Sequence, residues 1–232
     1  MYRIALIGGG GVGKSTLAAA FAPYLDRHGL KAAVANLDPD CRHVAYKPAF
    51  DIRKHYRSQD IMGETGLGPH GALKKIYALA GKDTALLSQI DGIGADVVLH
   101  DTAGSLELFL LENQAGFLKR VADAVLFVCD NESVSTEEDF VTLKAINAIQ
   151  ALKYALPTLT VVNKCELLKK RPRQAGLSDA SGGLAAVGEH LGELLKELSR
   201  SQRLFFVSAK QRTGFRELFD AINELRCECG EA

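Results

Sequence analysis

An α/β fold with a mostly parallel sheet flanked by helices is predicted from three features of the sequence. Short apolar runs recur at residues 2–7, 31–36, 96–101, 124–129, 158–162 and 204–207, each too short for a helix. Stretches with helical spacing separate them, the alternation that gives crossover connections and parallel pairing. The first run also passes directly into a glycine-rich turn that opens a helix, Gly8-Gly9-Gly10-Gly11-Val12-Gly13-Lys14-Ser15-Thr16.

That turn matches G-x-x-x-x-G-K-[ST] in full, preceded by the strand Tyr2-Arg3-Ile4-Ala5-Leu6-Ile7 and followed by Leu17, Phe21, Tyr24 and Leu25 at helical spacing. The flanks separate a phosphate loop from a glycine-rich turn that binds nothing. The backbone amides of Gly10, Gly11, Val12 and Gly13 are expected to face phosphate oxygens, which a Cβ would obstruct. Lys14 then reaches the β- and γ-phosphates, Ser15 offers its hydroxyl to Mg²⁺, and Thr16 continues the helix whose positive end meets the same anion.

Bulk properties narrow the setting. A chain of 232 residues buries one ample core, so a single domain over 1–232 is expected, with a helical insertion over 42–94. Lys+Arg and Asp+Glu both number 28, which gives no electrostatic ground for binding nucleic acid or an anionic membrane. No apolar run approaches the ~20 residues of a membrane span, and the N-terminus reads as a core strand rather than a signal segment. A cytoplasmic location is expected. Five cysteines, at 41, 129, 165, 227 and 229, suit no disulfide framework, and Cys227-x-Cys229 alone is a weak metal signal.

The second strand, residues 31–36, runs into Asn36-Leu37-Asp38-Pro39-Asp40. A carboxylate at that end of a strand faces the ligand crevice, so Asp38 is placed to hold Mg²⁺ through water or to orient an attacking water. Residues 42–94 contain no convincing strand. Helices are expected at 51–57 and 72–80, a shorter one at 84–90, and a rigid loop at 66–71.

The third strand, 96–101, ends in Asp101-Thr102-Ala103-Gly104, a D-x-x-G pattern. Asp101 supplies a second acidic group for the metal and Gly104 an N–H able to sense a γ-phosphate, while His100 reads as a packed strand residue. The fourth strand precedes an amphipathic helix at 136–154. The fifth delivers Asn163-Lys164-Cys165-Glu166. Guanine sites commonly present N-K-x-D here, the carboxylate accepting from the base N1 and N2 hydrogens. Glu166 keeps the charge but moves it one methylene outward, at an expected cost of about tenfold in affinity. A mobile surface loop at 171–183 and a helix at 184–198 follow. The sixth strand then ends in Ser208-Ala209-Lys210, whose backbone can meet the base edge, and a last helix covers 215–225.

Taken together, these residues resemble the GPN-loop GTPases, a homodimeric family within the SIMIBI class of P-loop NTPases. The carriers are Gly8 to Thr16, Asn36-Leu37-Asp38-Pro39, the run from Asp60-Ile61-Met62 through Gly66-Leu67-Gly68-Pro69-His70-Gly71-Ala72-Leu73, and Asp101-Thr102-Ala103-Gly104 with Glu107-Leu108-Phe109. The resemblance implies GTP and GDP as ligands, Mg²⁺ as cofactor and an unidentified client protein. It also implies a site completed across a homodimer, where Gly68, Pro69 and His70 of one copy meet the phosphates held by the other. Three positions depart from the family pattern: His70 in place of Asn, Ser105 in place of the usual Gln, and Glu166 in place of Asp. His70 can still donate to phosphate, more strongly as a cation, whereas Ser105 is short for positioning water.

Three other readings compete. A dimerising ATPase of the MinD or ParA type shares the glycine-rich loop, but its second lysine is replaced here by Gly9. A nucleotide-gated assembly factor would use binding rather than turnover as its output. A metallochaperone would rely on Cys227 and Cys229, fewer ligands than such sites use.

Overall fold

The computed structural model describes residues 1–111, 115–168 and 203–228. Among them run seven strands: β1 (Tyr2–Ile7), β2 (Ala32–Leu37), β3 (Phe50–Asp51), β4 (Val97–Thr102), β5 (Ala124–Cys129), β6 (Thr158–Val162) and β7 (Leu204–Phe206). They form one sheet in the order β3-β2-β4-β1-β5-β6-β7, and every pairing is parallel. Around it lie α1 (Lys14–Arg27), α2 (Ser58–Thr65), α3 (Pro69–Ala80), α4 (Thr84–Asp91), α5 (Leu106–Leu110), α6 (Ala115–Val121), α7 (Glu137–Tyr154) and α8 (Phe215–Glu228). The sheet class expected from the sequence is the one observed.

The two-residue period of β1 divides the interior between the two faces of the sheet. Ile4 and Leu6 pack with Leu17, Phe21 and Leu25 of α1 and Leu218 and Ile222 of α8. Ala5 and Ile7 point the other way, toward Ile76 and Tyr77 of α3, Leu86 of α4 and Leu118 of α6. Each Ile or Leu so buried stabilises the fold by about 1.5–3 kcal/mol. With both faces covered, β1 is held centrally between β4 and β5, and its C-terminal end becomes the floor of a crevice.

Several expected boundaries are corrected. The interval 42–94 does contain a strand: β3 pairs with β2 at Ala35↔Phe50 and Asn36↔Asp51. Two residues cannot display a period, so only the open edge of β2 reveals it. The helix expected at 51–57 is a short 3-10 turn, Ile52–Lys54, with α2 starting at Ser58. Asp51 caps that turn by accepting from the Arg53 N–H. The loop expected at 66–71 ends early, because Pro69 occupies the first turn of α3, where its missing N–H costs nothing. α5 and α6 were not anticipated. The surface loop expected at 171–183, the helix at 184–198 and Cys229 lie outside the described residues.

His100 is fully buried in β4, as a packed residue should be, and its ring sits beside the small neighbours Ala5 and Ala35. Neither ring nitrogen has a hydrogen-bond partner. Burial, assisted by the nearby Arg3 guanidinium, pushes its pKa down to about 3, so the folded protein holds it neutral. An unfolded chain takes the proton near pH 6.5. Stability is therefore expected to fall as pH drops through the window from about 6.5 toward 3, by roughly 2 kcal/mol at pH 5. Urea unfolding of His100→Leu at pH 7 and pH 5 should show that drop largely abolished.

Candidate functional site

The crevice is built on the turn after β1. A Cβ on Gly8 would stand 2.1 Å from the Val128 carbonyl oxygen, so the chain is seated directly against β5 at that point. Gly11 and Gly13 have φ of 77° and 91°, left-handed values that glycine adopts freely. Lys14 opens α1, whose N-terminus has no side-chain cap. Its Nζ donates to Gly8 O at 3.0 Å and Gly9 O at 2.9 Å, so the ammonium lies under its own loop. Burial lowers the Lys14 pKa, against the raising pull of Asp101 and Asp38.

The register of β2 and β4 sets Asn36 opposite Asp101, which brings the ends of both strands beside that lysine. Tyr77 locks the pair: its hydroxyl donates to Leu37 O at 2.9 Å and accepts from the Ala103 N–H at 3.1 Å. Asn36 Oδ1 accepts from the Asp38 N–H at 3.1 Å, and Asp38 Oδ1 accepts from the Asp40 N–H at 2.9 Å. Burial raises the pKa of both Asp38 and Asp101, and the Asp101 charge raises that of Asp38 further. The neighbouring Ser15 and Tyr46 hydroxyls pull the Asp101 carboxyl back down. Asp101 Oδ2 accepts from the Tyr46 hydroxyl at 2.7 Å, while its Oδ1 is buried without a partner. Two mutually repelling carboxylates, an orphaned oxygen and the Ser15 hydroxyl form an all-oxygen set that fits Mg²⁺. Tyr46 was not anticipated, since a lone aromatic in an unpatterned loop carries no signal.

Gly104 follows, and a Cβ there would lie 2.9 Å from Gly10 Cα. The two glycine turns thus touch backbone to backbone. At the rim, Gly66 ends α2 with φ 68°, Gly68 precedes Pro69 at the start of α3, and residues 66–70 are exposed. His70 Nδ1 lies 3.5 Å from Ser105 Oγ, which donates to Glu107 Oε2 at 3.2 Å. Two of the three departures from the family pattern therefore meet within one chain. A recess of about 260 Å³ between Asp38, Cys41, Gly104 and Ser105 lies alongside.

On the other side of the phosphate loop, Asn163 is buried and bonded through both amide atoms. Its Nδ2 donates to Val12 O at 2.9 Å and its Oδ1 accepts from the Ala209 N–H at 3.0 Å. A Cβ on Gly13 would sit 2.5 Å from that Nδ2. Lys164 pairs with Asp130 at 3.0 Å, a carboxylate at the end of β5 that no local sequence pattern marks. Glu166 Oε2 is buried and has no hydrogen-bond partner among the described residues. Ser208 is buried and bridged to Thr213, its hydroxyl accepting from the Gln211 N–H, and Lys210 is exposed. The structure thus gathers Gly10 to Thr16 with Asp38, Asp101 and Gly104 in one place. Gly68, Pro69 and His70 lie at one rim, and Asn163, Lys164 and Glu166 with Ser208 and Ala209 at the other.

A parallel sheet whose central strand feeds this loop, with carboxylates from two neighbouring strand ends beside the lysine, defines a P-loop protein of the α/β class. A family profile described as "Conserved hypothetical ATP binding protein" matches residues 6–228. The chain is similar to a GPN-loop GTPase of Pyrococcus abyssi, 28% identical over 251 aligned residues and 98% of each chain. GPN-loop GTPase 3 of Aspergillus fumigatus is 26% identical over 183 residues, 72% of this chain and 61% of that protein, so the chain spans less than two thirds of this relative. A crystal structure from Pyrococcus abyssi, described as a GTPase in apo form, matches with a TM-score of 0.85 at 26% identity, covering 97% of this chain and 98% of that one. The chain belongs to the GPN-loop GTPase family.

Proposed function

We propose that this chain binds GTP with Mg²⁺ and hydrolyses it to GDP and phosphate, as a molecular switch of the GPN-loop type. The family description names ATP whereas the relatives are called GTPases, so the choice of base has to come from the site. The carrying observation is Glu166: a buried carboxylate oxygen without a partner accepts naturally from the N1 and N2 hydrogens of guanine, which adenine does not offer. Competition of GTP and ATP for a fluorescent nucleotide tests this. GTP should displace the probe at a concentration at least tenfold below that of ATP; equal or stronger displacement by ATP would install the ATPase reading.

Positioning and electrostatics carry the chemistry, as in phosphoryl transfer generally. Lys14 neutralises phosphate charge, the amides of residues 10–16 cradle the phosphate chain, and the Gly104 N–H senses the terminal group. Ser15, Asp38 and Asp101 would hold Mg²⁺, which when bound draws charge from the phosphate oxygens. Asp38 also orients the attacking water. Asn163, Lys164 and Glu166, with Ser208, Ala209 and Lys210, form the base side.

The exposed rim of Gly68, Pro69 and His70 suits closure over a second copy of the chain, a symmetric homodimer. Light scattering with GDP and with a GTP analogue reads that mass directly. The zero net charge supports a protein partner over nucleic acid, and no helix of the described residues is long and apolar enough to cross a membrane. Both fit a cytoplasmic protein acting on a client protein.

The contact between His70 and Ser105 predicts altered turnover. Single-turnover hydrolysis followed from pH 5.5 to 8 is expected to change in rate in His70→Asn, because the imidazole that meets Ser105 Oγ is replaced by a shorter amide. Ser105→Gln, which restores a long amide beside Gly104, should speed hydrolysis by about tenfold, or 1.4 kcal/mol of barrier. Flat and identical profiles in all three proteins would remove both residues from the chemistry.

A further inference from the structure

We propose that a second anion site lies behind the Asp38 turn, formed by Arg42, Lys54, Arg57 and Ser58, and that it takes a tetrahedral oxyanion of the phosphate class. A recess of about 560 Å³ opens there, sharing Asp40 and Cys41 with the recess beside the metal carboxylates. Its wall carries four basic residues, Arg42, Arg53, Lys54 and Arg57, against Asp40 and Asp51. Arg53 is already committed: it pairs with Asp51 at 2.6 Å, and its other arm donates to the carbonyls of Cys41 and Arg42. Among the described residues no carboxylate pairs with Arg42, Lys54 or Arg57, so three cations face the recess with only Asp40 to offset them.

The backbone and a buried hydroxyl point to the same ligand. The eight-residue helix α2 begins at this wall, and its N-terminus has no side-chain cap, although Asp60 lies in its first turn. Ser58, its first residue and part of the wall, is 1% exposed, and its Oγ is buried without a hydrogen-bond partner. Arg57 Nε donates to Arg53 O at 3.2 Å, which holds the guanidinium near the recess with its terminal N–H groups free to donate. Arg42, Lys54 and Arg57 are exposed residues of the same wall as Ser58 and the start of α2, a set of donors suited to several oxygens on one compact dianion. The Ser58 N–H also donates to Pro39 O, so an occupied recess would brace the turn that carries Asp38.

Phosphorus NMR titration of orthophosphate into the full chain tests the site without reference to turnover. Lys14→Met, which disables the phosphate loop, should still bind one equivalent. Lys54→Glu and Arg57→Glu in that background should each weaken binding at least tenfold with unchanged circular dichroism, and Ser58→Ala should weaken it less. A parallel titration with O-phosphoserine separates the sources: matching affinity assigns a phosphate carried on a side chain, and its rejection assigns the free ion. Loss of all phosphate binding in Lys14→Met, or charge reversals without effect, would overturn the proposal. Neither result bears on GTP preference at the first site.

Discussion

Replacing Lys14 with methionine is expected to weaken nucleotide binding by about a hundredfold or more while leaving the fold almost as stable as before. The side chain is only 6% exposed, and its ammonium is held under the loop by Gly8 O and Gly9 O rather than ranging through solvent. It is therefore pre-positioned for phosphate, and charge-assisted bonds of about 1.5–3 kcal/mol each reach a factor of a hundred when two are lost. Stability responds differently. Burial lowers the Lys14 pKa, so the charged form is held at a cost that methionine removes. Two carbonyls then lose a donor, at about 1 kcal/mol each, and the opposing terms leave a net change within about 1 kcal/mol. Calorimetry with GTP and GDP beside urea unfolding measures both. Binding within threefold of wild type would show that the ammonium does not reach the ligand.

Asn163→Ala should show the reverse pattern, a large loss of both stability and affinity. One side chain, 2% exposed, supplies the donor for Val12 O and the acceptor for the Ala209 N–H, and so joins the phosphate loop to the turn after β7. Alanine strands both backbone groups in the interior. At about 1–3 kcal/mol for each unsatisfied group, a loss of about 2–6 kcal/mol is expected, together with at least thirtyfold in affinity for GTP and GDP alike. Asn163→Asp separates the two bonds. It keeps the acceptor for Ala209 but sets a carboxylate against Val12 O, so it should be as damaged as alanine at pH 7 and partly recover in acid, where a protonated carboxyl can donate. Glu166→Ala, by contrast, should relax base preference with little effect on unfolding. If Asn163→Ala unfolds like the wild type, the bridge is not a structural tie.

The residues that could be read from the sequence are those whose chemistry is local. The phosphate loop needs a contiguous pattern between a strand and a helix, and β1, the turn and α1 follow in that order. Asp38 and Asp101 can be placed at the same end of the sheet because each ends an apolar strand, and parallel strands of one sheet expose the same end. What stayed hidden depends on distant partners. Asn163 reads as a holder of the base, and only the tertiary structure shows its side chain also bonded to Val12 and Ala209, 151 and 46 positions away. Tyr46 and Asp101 meet across 55 positions, and Lys164 and Asp130 across 34. The strand β3 exists only because β2 presents an edge for it.

The amino-acid sequence alone determined the fold class, the glycine-rich loop after β1 and the two carboxylates at the strand ends, because hydrophobic period and backbone conformation act over a few neighbouring residues. Tertiary structure alone decided which polar atoms satisfy one another and which remain open. Asp101 Oδ1, Glu166 Oε2 and Ser58 Oγ are left without partners only once the sheet and its helices have closed around them. Burial creates that distinction, since in an unfolded chain water would satisfy all three equally.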